Sequence, residues 1–118
     1  MTYVDGFVVP VPKRKVAAYK KIATLAGKVW MEYGALAYLE AVADDVPVGK
    51  RTSFPRSVKL KPGETVIFAY IVYKSRAHRD KVNAKVMKDK RLNGMDMKNM
   101  PFDGKRLIFG GFKTIVQK

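Results

Sequence analysis

Eight consecutive apolar residues, Val66 to Tyr73, constrain this chain more than any other feature. The stretch from Thr65 to Tyr73 is rich in β-branched and aromatic residues and is entered through the turn pair Pro62-Gly63, so it reads as a strand. Side chains alternate along a strand, which puts Val66, Phe68, Tyr70 and Val72 on one face and Ile67, Ala69, Ile71 and Tyr73 on the other. A sheet with one wet face alternates polar and apolar residues; this strand does not. Both of its faces therefore need cover. The run is far short of the roughly 20 residues of a membrane helix, so the cover is expected to be protein.

The rest of the chain supplies partners for that strand. Tyr3 to Val9 is β-branched and aromatic and ends at Pro10, reading as a first strand, with Pro12 suited to the first turn of a helix. From Lys13 to Tyr33 apolar residues (Val16, Tyr19, Ile22, Ala23, Ala26, Val29, Trp30) recur at spacings of three and four. That spacing predicts an amphipathic helix with Lys13, Lys20, Lys21 and Lys28 largely on its other side, weakened by Gly27 and stopped at Gly34. Ala35 to Ala43 is read as a second strand, with helix as its rival, and residues 46–63 as an extended basic arm. Ser75 caps a second helix from Arg76 to about Lys90, with Val82, Val86 and Met87 inward. A loop at 92–104 and a last strand from Lys105 to Val116 follow, the latter interrupted by Gly110-Gly111, which suggests a bulge or a close backbone approach.

Strand, helix, strand, strand, helix, strand is the order of the ferredoxin-like α+β fold: a four-stranded antiparallel sheet with both helices on one face. The 118 residues suffice for one such domain, spanning 1–118. Two helices cover one face only. Symmetric dimers are the commonest oligomers, so a homodimer packed sheet to sheet is the expected cover for the other.

Composition excludes several chemistries. With no cysteine there are no disulfides, thiolate nucleophiles or zinc ribbons, and a single histidine cannot build a multi-histidine metal site within one subunit, so no metal or other cofactor is expected. No secretory signal is visible at the start, so the expected setting is the cytoplasm, away from the membrane. The outlying number is charge. Twenty-four Lys and Arg oppose ten Asp and Glu, a net of +14, and residues 74–118 alone carry thirteen basic and four acidic residues. Such an excess favours polyanions, or simply solubility.

The remaining candidates are individual residues. Asp5, Glu40 and Arg106 lie in or beside apolar strands, where charge needs a partner. They form either a small polar site or structural ion pairs, and the structural reading is the stronger. Trp30, Tyr33, Tyr38 and Tyr70 could line an aromatic small-molecule pocket between helices and sheet, although a core needs the same residues. No catalytic set is evident: Asp103 before Gly104 fits an Asx-turn, and His78 fits a cap or core edge. Arg76, Arg79, Lys81, Lys85 and Lys88 on the second helix, with the arm's Lys50, Arg51, Arg56, Lys59 and Lys61, could bind phosphates of a nucleic acid. They lack interleaved aromatics and any nucleic-acid motif, so a solvated charged face is preferred.

Four stretches carry a resemblance: Tyr3-Val4-Asp5-Gly6-Phe7-Val8-Val9; Asp45-Val46-Pro47 with Gly49-Lys50; Arg79-Asp80 with Asn83; and Met100-Pro101-Phe102-Asp103-Gly104-Lys105-Arg106 running on to Gly110-Gly111-Phe112. In these the chain resembles the DUF1428 family of small bacterial proteins of unassigned function. The resemblance implies a ferredoxin-like protomer in a dimeric α+β barrel and implies no activity; kinship with cofactor-free monooxygenases is architectural analogy. Members often carry Cys-Trp after the strand-two glutamate. Here Glu40 is followed by Ala41-Val42, so any role of that thiol is absent.

Overall fold

The structure, a computed structural model, describes residues 1–95 and 99–118. Strand β1 (Tyr3–Pro12) passes through a 3-10 turn at Lys13–Lys15 into helix α1 (Val16–Glu32). Then come β2 (Ala37–Val42), the single turn α2 (Phe54–Ser57), β3 (Glu64–Tyr73), α3 (Arg76–Met87), the single turn α4 (Lys90–Asn93) and β4 (Ile108–Lys113). The four strands form one sheet in the order β2-β3-β1-β4, every neighbour antiparallel. This is the ferredoxin-like arrangement. The two central strands pair over their whole length, from Tyr3 opposite Tyr73 to Pro12 opposite Glu64.

The helices settle on the odd-numbered face of β3. Val29 of α1 and Val82 and Val86 of α3 pack with Ile71 and Tyr73, while Tyr19 packs with Val9, Val11 and Ile67. Val82 and Val86 are one turn apart, so they form a narrow stripe, and Met87, expected inward, falls off it and is 62% exposed. Helix α3 also ends before Lys90, because the Asp89 side chain accepts the Arg91 N–H and starts α4. Gly34 ends α1 with a φ of 112°, a conformation that glycine adopts freely.

Three segments differ from the pattern. β1 runs past Pro10 to Pro12. The Lys13 N–H donates to Gly63, which continues the β3 ladder and puts the N sides of Pro10 and Pro12 toward β4. Pairing with β4 has already stopped at Val8 opposite Ile108, so the missing donors cost no ladder bond. The arm is not extended: Ser53 caps α2 by accepting from the Arg56 N–H, and Arg56 donates to the Val48 and Gly49 carbonyls. Finally, β4 is shorter than expected, because Asp103 accepts the Lys105 N–H in a turn that occupies 103–106. Its glycines pair in register without a bulge, Gly110 opposite Gly6 and Gly111 opposite Asp5. A Cβ on Gly111 would collide with the Tyr3 ring, so the close approach accounts for that glycine. Residues 96–98 of the expected 92–104 loop lie outside the described residues.

The folded arm covers one end of the other sheet face. Val66 is buried there, with Pro55 and Val58 of the arm also buried and Phe54 set edge-on to Phe68 at 5.9 Å between ring centroids. The remainder of that face, with Leu39, Phe68, Ile108 and Phe112, is exposed.

Candidate functional site

On the helix side, the edge strand β2 presents Tyr38, Glu40 and Val42, opposite Ile71, Ala69 and Ile67 of β3. Glu40 is the anomaly, since it occupies a position where the period-2 pattern calls for an apolar residue. Helix α1 runs alongside and leaves a cleft of about 580 Å³ between itself and β2. Glu40 lies in that cleft and is held by two phenols. Tyr19 of α1 donates to Oε1, and Tyr38, its neighbour on the same face of β2, donates to Oε2. Burial, reinforced by the hydrogen bond to the Glu40 carboxylate, pushes both phenols far above their ordinary pKa. They are fixed as donors, not acids. A carboxylate has about four acceptor positions. The phenols occupy two, so Glu40 can take further hydrogens from the cleft.

Each phenol is positioned by its ring. Tyr19 meets Phe102 edge-on at 5.9 Å, and Tyr38 lies 6.1 Å from Trp30. Tyr38 also packs over Gly27, where a Cβ would stand 2.8 Å from its Cδ1. Gly27 therefore makes room for the ring that reaches Glu40. Val16, Ala23, Met31, Val42 and Ile67 supply apolar wall, and Lys20, Thr24 and Lys28 line the α1 side.

The other sequence candidates lie elsewhere. Asp5 is buried and pairs with Arg79 at 2.9 Å, and Arg79 also meets Asp80 and stacks over Tyr3. Nearby, the Trp30 indole N–H is within bonding distance of the Tyr73 hydroxyl and of Asn83 Oδ1, and Tyr73 donates to Asn83. Burial, and then the charge of Asp5, raises the Tyr73 pKa. Arg106 grips both oxygens of Glu64 at 2.7–2.8 Å, Asp103 at 2.8 Å, and the Val58 and Lys59 carbonyls. It ties the arm to the start of β3. Asp5, Glu40 and Arg106 thus sit in three separate networks. Tyr38 lines the cleft, with Trp30 packed beside it but not in its lining, whereas Tyr70 pairs with Gly6 on the outer face, beside Phe68. Tyr33 is on neither, donating to Asp89. Arg76, Lys81 and Lys85 of α3 and Lys88 at its C-cap are exposed, but Arg79 is taken by its ion pairs. The His78 N–H donates to Ser75, and His78 Nδ1 accepts the Lys74 N–H.

Sequence reasoning missed Tyr19, which reads as one more apolar position in a helical stripe. It also assigned Lys20 and Lys28 to the far side of α1, whereas both border the cleft. The signal was there: Lys20, Thr24 and Lys28 recur at four-residue spacing directly beside Tyr19 and Ala23.

The described residues contain no group of three or more His, Cys, Asp or Glu side chains able to hold a metal, and no helix long and apolar enough to cross a membrane. The sequence pattern of the family described as "Protein of unknown function (DUF1428)" matches residues 2–104. "Uncharacterized protein YbaA" of Escherichia coli K12 is 47% identical over 118 residues, covering all of both chains, and the protein of the same name from Shigella flexneri matches equally. Among solved structures, the de novo designed protein Foldit4 superposes with a TM-score of 0.49 at 13% identity, over 97% of this chain and 99% of its own.

Proposed function

The chain belongs to the DUF1428 family, and from that premise we propose that it is a cytoplasmic homodimer that binds a small molecule in the cleft between α1 and β2. One observation carries the binding reading: a half-buried carboxylate, Glu40, held by two phenols at an open cleft of about 580 Å³. Ligand sites are concave and mainly apolar, with a few converging polar groups, and volumes of about 300–1,000 Å³ are usual. The homodimer is supported by the outer sheet face. Leu39, Phe68, Ile108 and Phe112 are exposed on it together, with half-buried Val4, Val8, Tyr70 and Val72 between them. A second copy placed face to face would bury the same residues twice, as two-fold symmetry requires.

The two parts are tested separately. A thermal-shift screen of small organic metabolites should find compounds that raise Tm, with the shift lost in Glu40→Gln. A screen in which Glu40→Gln responds as the parent does would remove the cleft as the site. Sedimentation should give a dimer at micromolar concentration and a monomer for Phe112→Lys; a monomeric parent would end the dimer reading.

A second reading, a polyanion binder, draws on the exposed cations Arg76, Lys81, Lys85 and Lys88 along α3. It requires an affinity for DNA or RNA that falls linearly in log K against log salt. No binding at about 50 mM salt would dispose of it.

A further inference from the structure

Resting on the cleft reading above, we infer that the ligand is an organic anion: an apolar body with a hydroxyl or N–H at one end and a carboxylate or phosphate at the other. Three features of the cleft point to that class. Its polar base is a carboxylate already accepting from Tyr19 and Tyr38, so anything further bound to Glu40 must bring a hydrogen to donate. Its walls are apolar, through residues such as Ala23, Val42 and Ile67. Its α1 side is bordered by a Lys20-Thr24-Lys28 row that spans about 12 Å along the helix, two turns in all.

The charges around that row are not balanced at the cleft. Among the described residues Glu40 is the only acid lining it, and both phenols donate to it. Glu32, one turn beyond Lys28, is engaged by Arg91 at 2.7 Å. Lys20 and Lys28 are both exposed on flexible stems and can close on an anion. The net charge of +14 adds a long-range field of the same sign. A cationic ligand would meet two ammonium groups along the α1 side of the cleft, whereas the anionic end of the proposed ligand is attracted to them while its donor end meets Glu40.

Four probes of one size separate the terms: 4-hydroxyphenylacetate, phenylacetate, the neutral 4-hydroxyphenylacetamide, and the cation tyramine. Binding is followed by calorimetry and by the fluorescence of Trp30, the sole tryptophan, which lies beside Tyr38. At low salt 4-hydroxyphenylacetate should bind at least about fivefold more tightly than its amide, and the gap should close toward 0.5 M NaCl, where screening falls to a few ångströms. Lys20→Gln/Lys28→Gln should abolish the gap and leave the amide unchanged; both side chains are exposed, so the fold is retained. Glu40→Gln should weaken the hydroxylated probes and spare phenylacetate. An amide or tyramine that binds as well as the acid overturns the anion assignment and leaves the cleft reading standing. No binding by any of the four overturns both.

Discussion

Replacing Glu40 tests whether the two phenols are held by one carboxylate, as the geometry requires. Glu40→Ala removes both acceptors at once and leaves the Tyr19 and Tyr38 hydroxyls to find water. Hydrogen bonds to a charged group contribute about 1.5–3 kcal/mol each, toward the lower end where water can enter. Tyr19 is almost fully buried and Tyr38 half-buried beside an open cleft, so a loss of about 2–4 kcal/mol is expected. Near 60 °C the unfolding entropy of 118 residues is about 250 cal/mol/K, so each kcal/mol moves Tm by about 4 °C and the variant should melt about 8–16 °C lower. The triple variant Tyr19→Phe/Tyr38→Phe/Glu40→Leu removes every polar atom of the cluster and should recover to within about 1 kcal/mol of the parent, since deleting all partners is far milder than orphaning two. Urea melts followed by Trp30 fluorescence read both variants. A Glu40→Ala protein within about 0.5 kcal/mol of the parent, or a triple variant no better than the single, would refute the reasoning.

Three further outcomes are expected. Four of the six tyrosines have raised folded pKa values, Tyr19, Tyr38 and Tyr73 chiefly through burial and Tyr33 through its hydrogen bond to Asp89, so their stabilisation is complete below the unfolded value near 10 and is lost as pH climbs past it. Absorbance at 295 nm should show the buried Tyr19, Tyr38 and Tyr73 un-ionised in the native protein at pH 11 and all six ionised once it unfolds. On the acid side, Arg106 holds Glu64 and Asp103 below the usual carboxylate range, so their contribution is present above about pH 4 and fades as pH falls through the folded values. Arg106→Met should lower Tm at pH 7 and flatten the decline between pH 5 and 2; an unchanged slope would contradict it. Gly27→Ala gains about 1 kcal/mol of helix propensity but drives a Cβ against the pinned Tyr38 ring, an overpacking that costs about 1–3 kcal/mol. It should destabilise the parent and stabilise a Tyr38→Ala background, as chemical denaturation of the four proteins would show.

The fold was legible because its elements announce themselves locally. The unbroken β-branched and aromatic run of β3, the three-and-four spacing of α1 and the Ser75 cap of α3 depend on neighbours in sequence, so the strand-helix-strand order could be read directly. So could the oddity of Glu40, an acid on an otherwise apolar strand. Its partners were not legible together: Tyr38 is two residues away, but Tyr19 arrives from another element, and a tyrosine in a helical stripe looks like core until the facing strand is known. The arm shows the same limit. Its prolines and glycines announce a loop, while the side chain that clamps it, Arg106, lies 42 residues after Glu64 in the chain. Pro10 misled for a related reason: whether a proline ends a strand depends on which neighbour its nitrogen faces, and β4 is the last element to arrive.

Those two prolines also protect the molecule. From Val9 to Pro12, β1 has no strand partner on the β4 side among the described residues, and a strand added there would need backbone donors to pair with. It would meet Pro10 and Pro12 where it needs donors. With no N–H at either position an added strand cannot be stitched in, and with Pro10 fully buried and Phe102 and Leu107 packed against the cluster of Val9 and Val11 this end of β1 is closed to strand addition.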